Sequence, residues 1–314
     1  MKTFSALLLL LASSTIQAED FQLTPGQSIQ STINNASDGD TISLADGRYE
    51  GNIDFLGKAI TLKGTGRRVV IAGDGNGSVV SFTNGETSSS VLDSVRITGG
   101  DTNAGGGIYI VESSPTIIRS FIERNRARNT GSGICVRGES SNPLISNNVL
   151  FKNRRSNGSA GDPHALQIID GSPVVINNTI VRNDSNGIHL SGSTESLIMN
   201  NLIAENGAPT GPRRGRGICD FSSQDVAMQY NLVFGNEISA LLRNGRDFNR
   251  MRRANGTAPN IANNVGGNPR FRRIRRGTLR RRSRAINRGN PDVQFADQDG
   301  SRNDIGRTGG PDAL

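Results

Sequence analysis

Tryptophan is absent from this sequence and tyrosine occurs only three times. Flat aromatic platforms, on which a neutral sugar ring would stack, are therefore scarce. Histidine occurs twice, at His164 and His189, and cysteine twice, at Cys135 and Cys219. Nothing in their placement resembles a zinc site, a Ser-His-Asp arrangement or a phosphate-cradling glycine loop. Beyond residue 18 no apolar run is long enough to cross a bilayer. Residues 1–18 carry Lys2, the apolar run Leu7 to Leu11 and the small-residue end Ile16-Gln17-Ala18, and read as a signal peptide. The expectation is a secreted, soluble, monomeric protein, extracellular or periplasmic once that peptide is removed, with no lipid anchor.

What the sequence does contain is one pattern written five times. It begins at Gly107-Ile108-Tyr109-Ile110, Gly133-Ile134-Cys135-Val136, Ala165-Leu166-Gln167-Ile168, Gly187-Ile188-His189-Leu190 and Gly217-Ile218-Cys219-Asp220. Each copy holds three short apolar runs and ends at Asn125, Asn153, Asn183, Asn206 or Asn236, with a period of 22 to 32 residues. The runs are too short for helices, rich in β-branched residues and punctuated by Gly, Asn or Ser-Pro, so they are strands. One copy cannot bury its own apolar face, but stacked copies can, with equivalent residues about 4.8 Å apart. Asn148, Asn178, Asn201 and Asn231 recur at one place, which suits a bend whose amides bond along the stack.

These repeats resemble the right-handed parallel β-helix of the pectate-lyase-like superfamily, an all-β solenoid with three strands per coil. Pro25 to Asp38, with Ile29 and Ile33 at helical spacing, reads as a short amphipathic helix, and since a solenoid needs its open end covered it is the expected N-terminal cap. Domain boundaries then fall at residues 1–18 for the signal peptide, 19–240 for the capped β-helix and 241–314 for an Arg-rich segment. The end of that segment, with Asn268-Pro269, Phe271, Ala285-Ile286-Asn287, Asp304-Ile305-Gly306 and Gly309-Gly310, resembles the module closing many secreted β-helix proteins. Arg282, Arg284 and Arg288 stand where that module has small neutral residues or proline.

The net charge of +8 is localised. Arg243 to Arg288 holds 15 arginines and one acid, Asp247, while the rest of the chain carries 21 basic and 27 acidic residues. So dense a cluster attracts polyanions, and for an exported protein the expected partner is an acidic polysaccharide or another extracellular polyanion such as lipopolysaccharide or DNA.

Candidate chemistry falls in three columns. Strand alternation turns Tyr109, Cys135, Gln167, His189 and Cys219 outward on the first strand of each coil, the face where the resemblance implies a substrate groove. The two cysteines lie three coils apart, about 14 Å at strand spacing, too far for a disulfide, and are expected to be free thiols. Arg124, Lys152, Arg182 and Glu205 form a second column before the terminal asparagines, with Arg154 and Arg155 just beyond. Uronate β-elimination and C5-epimerisation both need a base for the proton beside a carboxylate and a cation for the enolate. Lys152 or His164 is the candidate base, His189 the acid and Arg182 the charge neutraliser. Arg124, Arg154, Arg155 and Tyr109 are candidates for substrate binding. Asp162 and Asp184, one coil apart, could share a Ca²⁺. Asp162-Pro163-His164 resembles the Asp-Pro-His motif of alginate C5-epimerases, although Ala165 and Ser159 stand where those enzymes carry an acid and a tyrosine. Asp297, Asp299, Asn303 and Asp304 have the look of a Ca²⁺ loop without its full ligand spacing, and turn chemistry accounts for them equally. The competing reading is a non-catalytic surface or matrix protein that holds polyanions through its Arg-rich tail.

Overall fold

A computed structural model describes residues 17–313, apart from 159–160, 193–194, 208–214, 224–225, 244, 251–252 and 258–259. The signal-peptide reading therefore lies almost wholly outside the described residues. Three parallel sheets wrap one apolar interior, in the right-handed parallel β-helix expected from the repeats. Among the described residues sheet I has nine strands, including Ile108–Val111, Ile134–Arg137, Leu166–Ile169, Ile188–Gly192 and Ile218–Ser222. Sheet II has ten, including Thr116–Ile118, Leu144–Ser146 and Val174–Ile176. Sheet III has eight, including Phe121–Glu123, Val149–Phe151, Thr179–Val181 and Leu202–Ala204.

Register follows the repeat columns. Ile108 pairs with Ile134, Ile134 with Leu166, Leu166 with Ile188 and Ile188 with Ile218. These residues are fully buried, as are Ile117, Ile145, Val175 and Ile198 of sheet II and Ile122, Leu150, Ile180 and Ile203 of sheet III. Each such side chain contributes about 1.5–3 kcal/mol by leaving water, which is why a period-two apolar pattern fixes which face turns inward.

Two corners are lined by asparagine. At the corner between sheets II and III, the Asn148 amide donates to Asn178 (3.1 Å), Asn178 to Asn201 (3.0 Å) and Asn201 to Asn231 (3.2 Å). This is the bonding along the stack that the sequence implied, and Asn264 and Asn255 extend it. A second ladder follows sheet III, from Asn125 to Asn153, Asn183, Asn206 and Asn236, with amide separations of 2.9–3.2 Å. The residue before each of these asparagines adopts a left-handed backbone at Arg124 (φ 58°), Lys152 (55°), Arg182 (57°) and Glu205 (54°). That conformation is costly for a residue with a Cβ, and the buried amide after it holds the bend in place.

The N-terminal end is closed by the helix Ile29–Asn35, which buries Ile29 and Ile33. It is shorter than the 25–38 span read from the sequence because Ser28 caps it, accepting from the Ser31 N–H at 3.1 Å. The Lys58 ammonium donates to the carbonyls of Ile33, Asn34 and Ala36 at 2.6–2.8 Å, where the helix C-terminus is negative. A strand the repeats did not announce, Asp20–Leu23, precedes the helix and pairs with Thr41–Leu44.

Strand pairing continues beyond Asn236 through Leu241–Arg243 and Ile261–Ala262. The chain then turns back along the coil. A hairpin of Phe271–Arg273 and Thr278–Leu279 sets Phe271 and Ile274 against Val149, Phe151 and Val181 of sheet III. Ala285 and Ile305 pack on Leu202, Ala204 and Leu232. Asn147 donates to the carbonyls of Arg307 (3.1 Å) and Gly309 (2.7 Å), and the Gly306 N–H to Asn200 (2.8 Å). Much of the Arg-rich segment is thus docked on the solenoid. The acidic stretch closing it is organised by backbone: Asp297 accepts from the Asp304 and Gly310 N–H groups, and Asp299 from Ser301.

Candidate functional site

Tyr109, Cys135, Gln167, His189 and Cys219 do form one in-register column on sheet I. The column is largely covered: Cys135 and Cys219 are buried, Gln167 is 7% exposed, and Tyr109 and His189 are half-buried. The Gln167 side chain is spent on the Gly131 N–H, 3.1 Å away. Both thiols are free, with Gln167 and His189 between them in the register. Burial pushes each thiol up to about 11. The face where a substrate groove was expected is thus mostly closed by the segments between coils.

His164 and His189 stack with ring centres 4.3 Å apart and planes 13° from parallel. Burial lowers the pKa of both, and for His164 the neighbouring His189 lowers it further. The Ser185 hydroxyl donates to Asp162 (2.7 Å) and lies 3.0 Å from His164 Nδ1. Because that hydroxyl has one proton, His164 must donate from Nδ1, which fixes a neutral tautomer with its lone pair on Nε2. His189 Nδ1 is buried and has no hydrogen-bond partner among the described residues. The exposed ring of Phe221 stands 5.7 Å from His189.

Asp162 and Asp184 have separate partners. Asp162 holds Ser185, whereas Asp184 faces Arg154 at 3.8 Å. Burial raises the Asp184 carboxyl, against the pull of Arg154, Arg155 and Arg126. Among the described residues no group of three or more His, Cys, Asp or Glu could hold a metal ion.

The column at the bends opens onto solvent. Arg124, Arg126, Lys152 and Arg154 line a cavity of about 270 Å³. Lys152 and Arg154 also line a second, of about 490 Å³, with Arg182, Asp184, Glu205 and Glu237. Arg182 and Glu205 in turn line a third, of about 870 Å³, whose other wall is Arg270, Phe271, Arg272, Ile274, Arg280, Arg281 and Arg282. Shared walls join these cavities into one groove along the bends, and the C-terminal hairpin forms the far wall of the third cavity alone. Arg182 pairs with Glu205 at 2.8 Å, and the Lys152 ammonium lies 5.4 Å from the centre of the Phe151 ring. Arg155 is half-buried beside this groove. No histidine lines it among the described residues. The structure therefore gathers Arg124, Lys152, Arg154, Arg182 and Asp184 and leaves His164, His189, Asp162 and Tyr109 outside that set.

Two residues that sequence reasoning passed over prove important. Arg126 is in register with Arg154 on a short sheet of Asp101–Ala104, Arg126–Thr130 and Arg154–Arg155. Glu123, 3% exposed, receives Arg275 through two hydrogen bonds (2.6 and 3.0 Å) and Arg96 at 2.7 Å, and so fastens the hairpin. Arg307 and Arg96 lie over the Phe121 ring at 4.5 and 4.8 Å. Glu123 was visible as an acid in a column otherwise holding Phe151, Val181, Ala204 and Phe234.

Among solved structures, pectate lyase Pel9A matches at 15% identity, covering 93% of this chain and 97% of its own, with a TM-score of 0.43. A mannuronic acid-specific polysaccharide family 6 lyase from human gut microbiota matches at 12% identity, covering 73% of this chain and 78% of its own, with a TM-score of 0.33. No curated protein matches the chain. No described helix is long and apolar enough to cross a membrane. The family model described as periplasmic copper-binding protein (NosD) matches residues 33–268, about three quarters of the sequence, and the chain belongs to that family.

Proposed function

We propose that this is an exported protein, periplasmic or extracellular, that binds acidic polysaccharide along the groove at its bends. The observation that carries the reading is the first cavity, walled by Arg124, Arg126, Lys152 and Arg154 with no acid in its lining. Cations at a fixed interval along a rigid axis track a polymer with a repeating negative charge. The hairpin arginines extend the same potential across the third cavity. The test is titration with polygalacturonate, alginate and chondroitin sulfate over a range of salt. Affinity should fall steeply with ionic strength, and an Arg124→Ala, Lys152→Ala, Arg182→Ala triple variant should bind about tenfold or more weakly. Equal binding of neutral dextran, or an unchanged triple variant, refutes the reading.

A second reading is turnover of the bound uronate, favoured by Lys152 and Arg182 sharing one cavity with the burial-raised carboxyl of Asp184. These are a base, a charge neutraliser and a second titratable group of the kind β-elimination and C5-epimerisation require. Proton NMR of the same polymers with added Ca²⁺ separates the cases: unsaturated uronate marks a lyase, and an altered uronate ratio without cleavage an epimerase. Unchanged spectra leave binding alone.

The family's description names copper. Copper sites gather imidazole and thiolate or thioether donors about one point. Here the imidazoles are stacked face to face, the neighbouring thiols are held protonated, and no three donors converge among the described residues. The donor set does not fit a resident copper ion.

A further inference from the structure

Four cations share the smallest cavity of the groove, and their roots are fixed in pairs. Arg126 and Arg154 are register partners on adjacent parallel strands, about 4.8 Å apart. Arg124 and Lys152 occupy the same bend position on the same two coils, both in the left-handed conformation. The buried Asn125 and Asn153 follow them directly, joined by two hydrogen bonds of 3.1 and 3.2 Å. Like charges directly opposite one another destabilise a sheet; Arg126 and Arg154 form such a pair, and Arg124 and Lys152 stack a second pair of cations at the adjoining bends. Among the described residues Arg124, Arg126 and Lys152 form no ion pair, and Arg154 reaches only Asp184, 3.8 Å away and outside the cavity lining.

The other two cavities differ. The second sets Asp184, Glu205 and Glu237 against three cations, and the third includes Glu205. A polymer with one carboxylate per sugar is matched by those mixed walls, but it leaves most of a four-cation cavity uncompensated. A phosphomonoester carries about −1.5 to −2 charges at neutral pH on a single group with three acceptor oxygens. Arginine forks engage such a group through paired hydrogen bonds, and lysine adds a point charge. The volume, about 270 Å³, is close to the lower end of ligand pockets, roughly 300 Å³.

We infer that the cavity of Arg124, Arg126, Lys152 and Arg154 is a phosphomonoester subsite at one end of the groove. The inference rests on the polysaccharide-groove reading and makes it more specific: the ligand carries a phosphate ester in addition to its carboxylates. A phosphorylated glycan and a lipid headgroup both present this chemistry.

The experiment is calorimetric titration of the full chain with inorganic phosphate, glycerol phosphate and, as control, the singly charged diester dimethyl phosphate. The first two should bind and the diester, with one charge and only two anionic oxygens, should bind about tenfold more weakly, in line with the lost charge-assisted contacts. Because the second phosphate pKa is near 6, affinity should fall severalfold between about pH 7.5 and about pH 5. Protonation of Asp184 beside Arg154 acts in the opposite direction, since it raises the local positive potential. Arg126→Gln and Arg154→Gln should each weaken phosphate binding about tenfold with an unchanged circular dichroism spectrum, and Arg48→Gln, at an exposed arginine paired with Glu50 outside the groove, should not. Sedimentation with phosphatidylcholine vesicles containing phosphatidic acid, but not with phosphatidylcholine alone, assigns the phosphate to a lipid; binding of soluble glycerol phosphate without vesicle capture assigns it to a glycan. Equal, pH-independent affinity for the diester and the phosphates, or full binding by Arg126→Gln, overturns the inference. If polyuronate still binds while the phosphates do not, the subsite is wrong and the groove reading stands. If neither binds, both fail.

Discussion

Replacing Asn178 by alanine tests whether the corner ladders hold the solenoid together. The Asn178 amide donates to the Ile145 carbonyl (2.8 Å), the Ile176 carbonyl (3.0 Å) and Asn201 Oδ1 (3.0 Å). Its oxygen accepts from the Asn148 backbone N–H (3.0 Å) and amide (3.1 Å). The site is fully buried, so water cannot take over. Asn178→Ala leaves at least two groups unsatisfied, the Asn148 N–H and the Ile145 carbonyl, at about 1–3 kcal/mol each. The expected loss is about 2–6 kcal/mol, a large share of the roughly 5–15 kcal/mol that holds a typical domain. With a urea m-value of about 3 kcal/mol/M the unfolding midpoint drops by roughly 1 to 2 M. Asn236→Ala is the internal comparison. Asn236 ends the second ladder and is partly exposed, so solvent can replace its bonds and the loss should be about 1 kcal/mol. Urea unfolding followed by circular dichroism reads both. A loss below about 1 kcal/mol at Asn178, or an equal loss at the two positions, would refute the reasoning.

Glu123→Ala should loosen the hairpin, costing about 2–3 kcal/mol and exposing Arg270 to Arg282 to trypsin; an unchanged cleavage rate contradicts the anchoring role. Burial pushes the Glu123 carboxyl up, but Arg275 and Arg96 outweigh it and hold its pKa below the ordinary value. Its contribution is therefore complete above the unfolded value of about 4.3 and is lost as pH falls through the lower folded value. Asp304 behaves in the opposite sense. Burial raises its carboxyl to about 6, so between about pH 4 and pH 6 the folded state binds more protons and stability rises as pH falls. Asp304→Asn should remove that component from a pH series of thermal melts, and an identical slope in both proteins would count against it. Finally, Cys135 and Cys219 should resist iodoacetamide in the folded protein at neutral pH and take two labels after denaturation without reductant; absence of label there would reveal a disulfide.

The coil was legible because each inward position, such as Ile108, Ile134 and Leu166, repeats the same chemical demand one strand spacing further on. The Asn148 ladder was legible for the same reason: an amide repeated at one bend of every coil has its equivalent within hydrogen-bond reach one strand spacing away. The Asn125 ladder used the same logic at a position read only as a repeat boundary. Less accessible was the course of the return segment. Phe271, Ile274, Ala285 and Ile305 follow no period, since they fit a surface made by other coils rather than copies of themselves. The covering of His164, Cys135 and Cys219 was hidden likewise, because alternation states that a side chain leaves the core without stating what lies above it. The open cation column was visible at Arg124, Lys152 and Arg182, yet Arg126 entered only through the register of Arg126–Thr130 with Arg154–Arg155.

The docked hairpin has a consequence for when the molecule becomes competent. Each coil touches mainly its neighbours, so coils can form in order as the chain emerges. The far wall of the third cavity comes from Asn268 onward, and the Asn147 to Arg307 contact closes 160 residues of sequence. Closing so long a loop costs little more than closing a short one, because the entropy grows only logarithmically with length; what it imposes is sequence in time. A nascent or interrupted chain can carry a finished solenoid and its first cavity while the third still lacks a wall, so only the contribution of the hairpin arginines to binding reports that synthesis has run past Asn268.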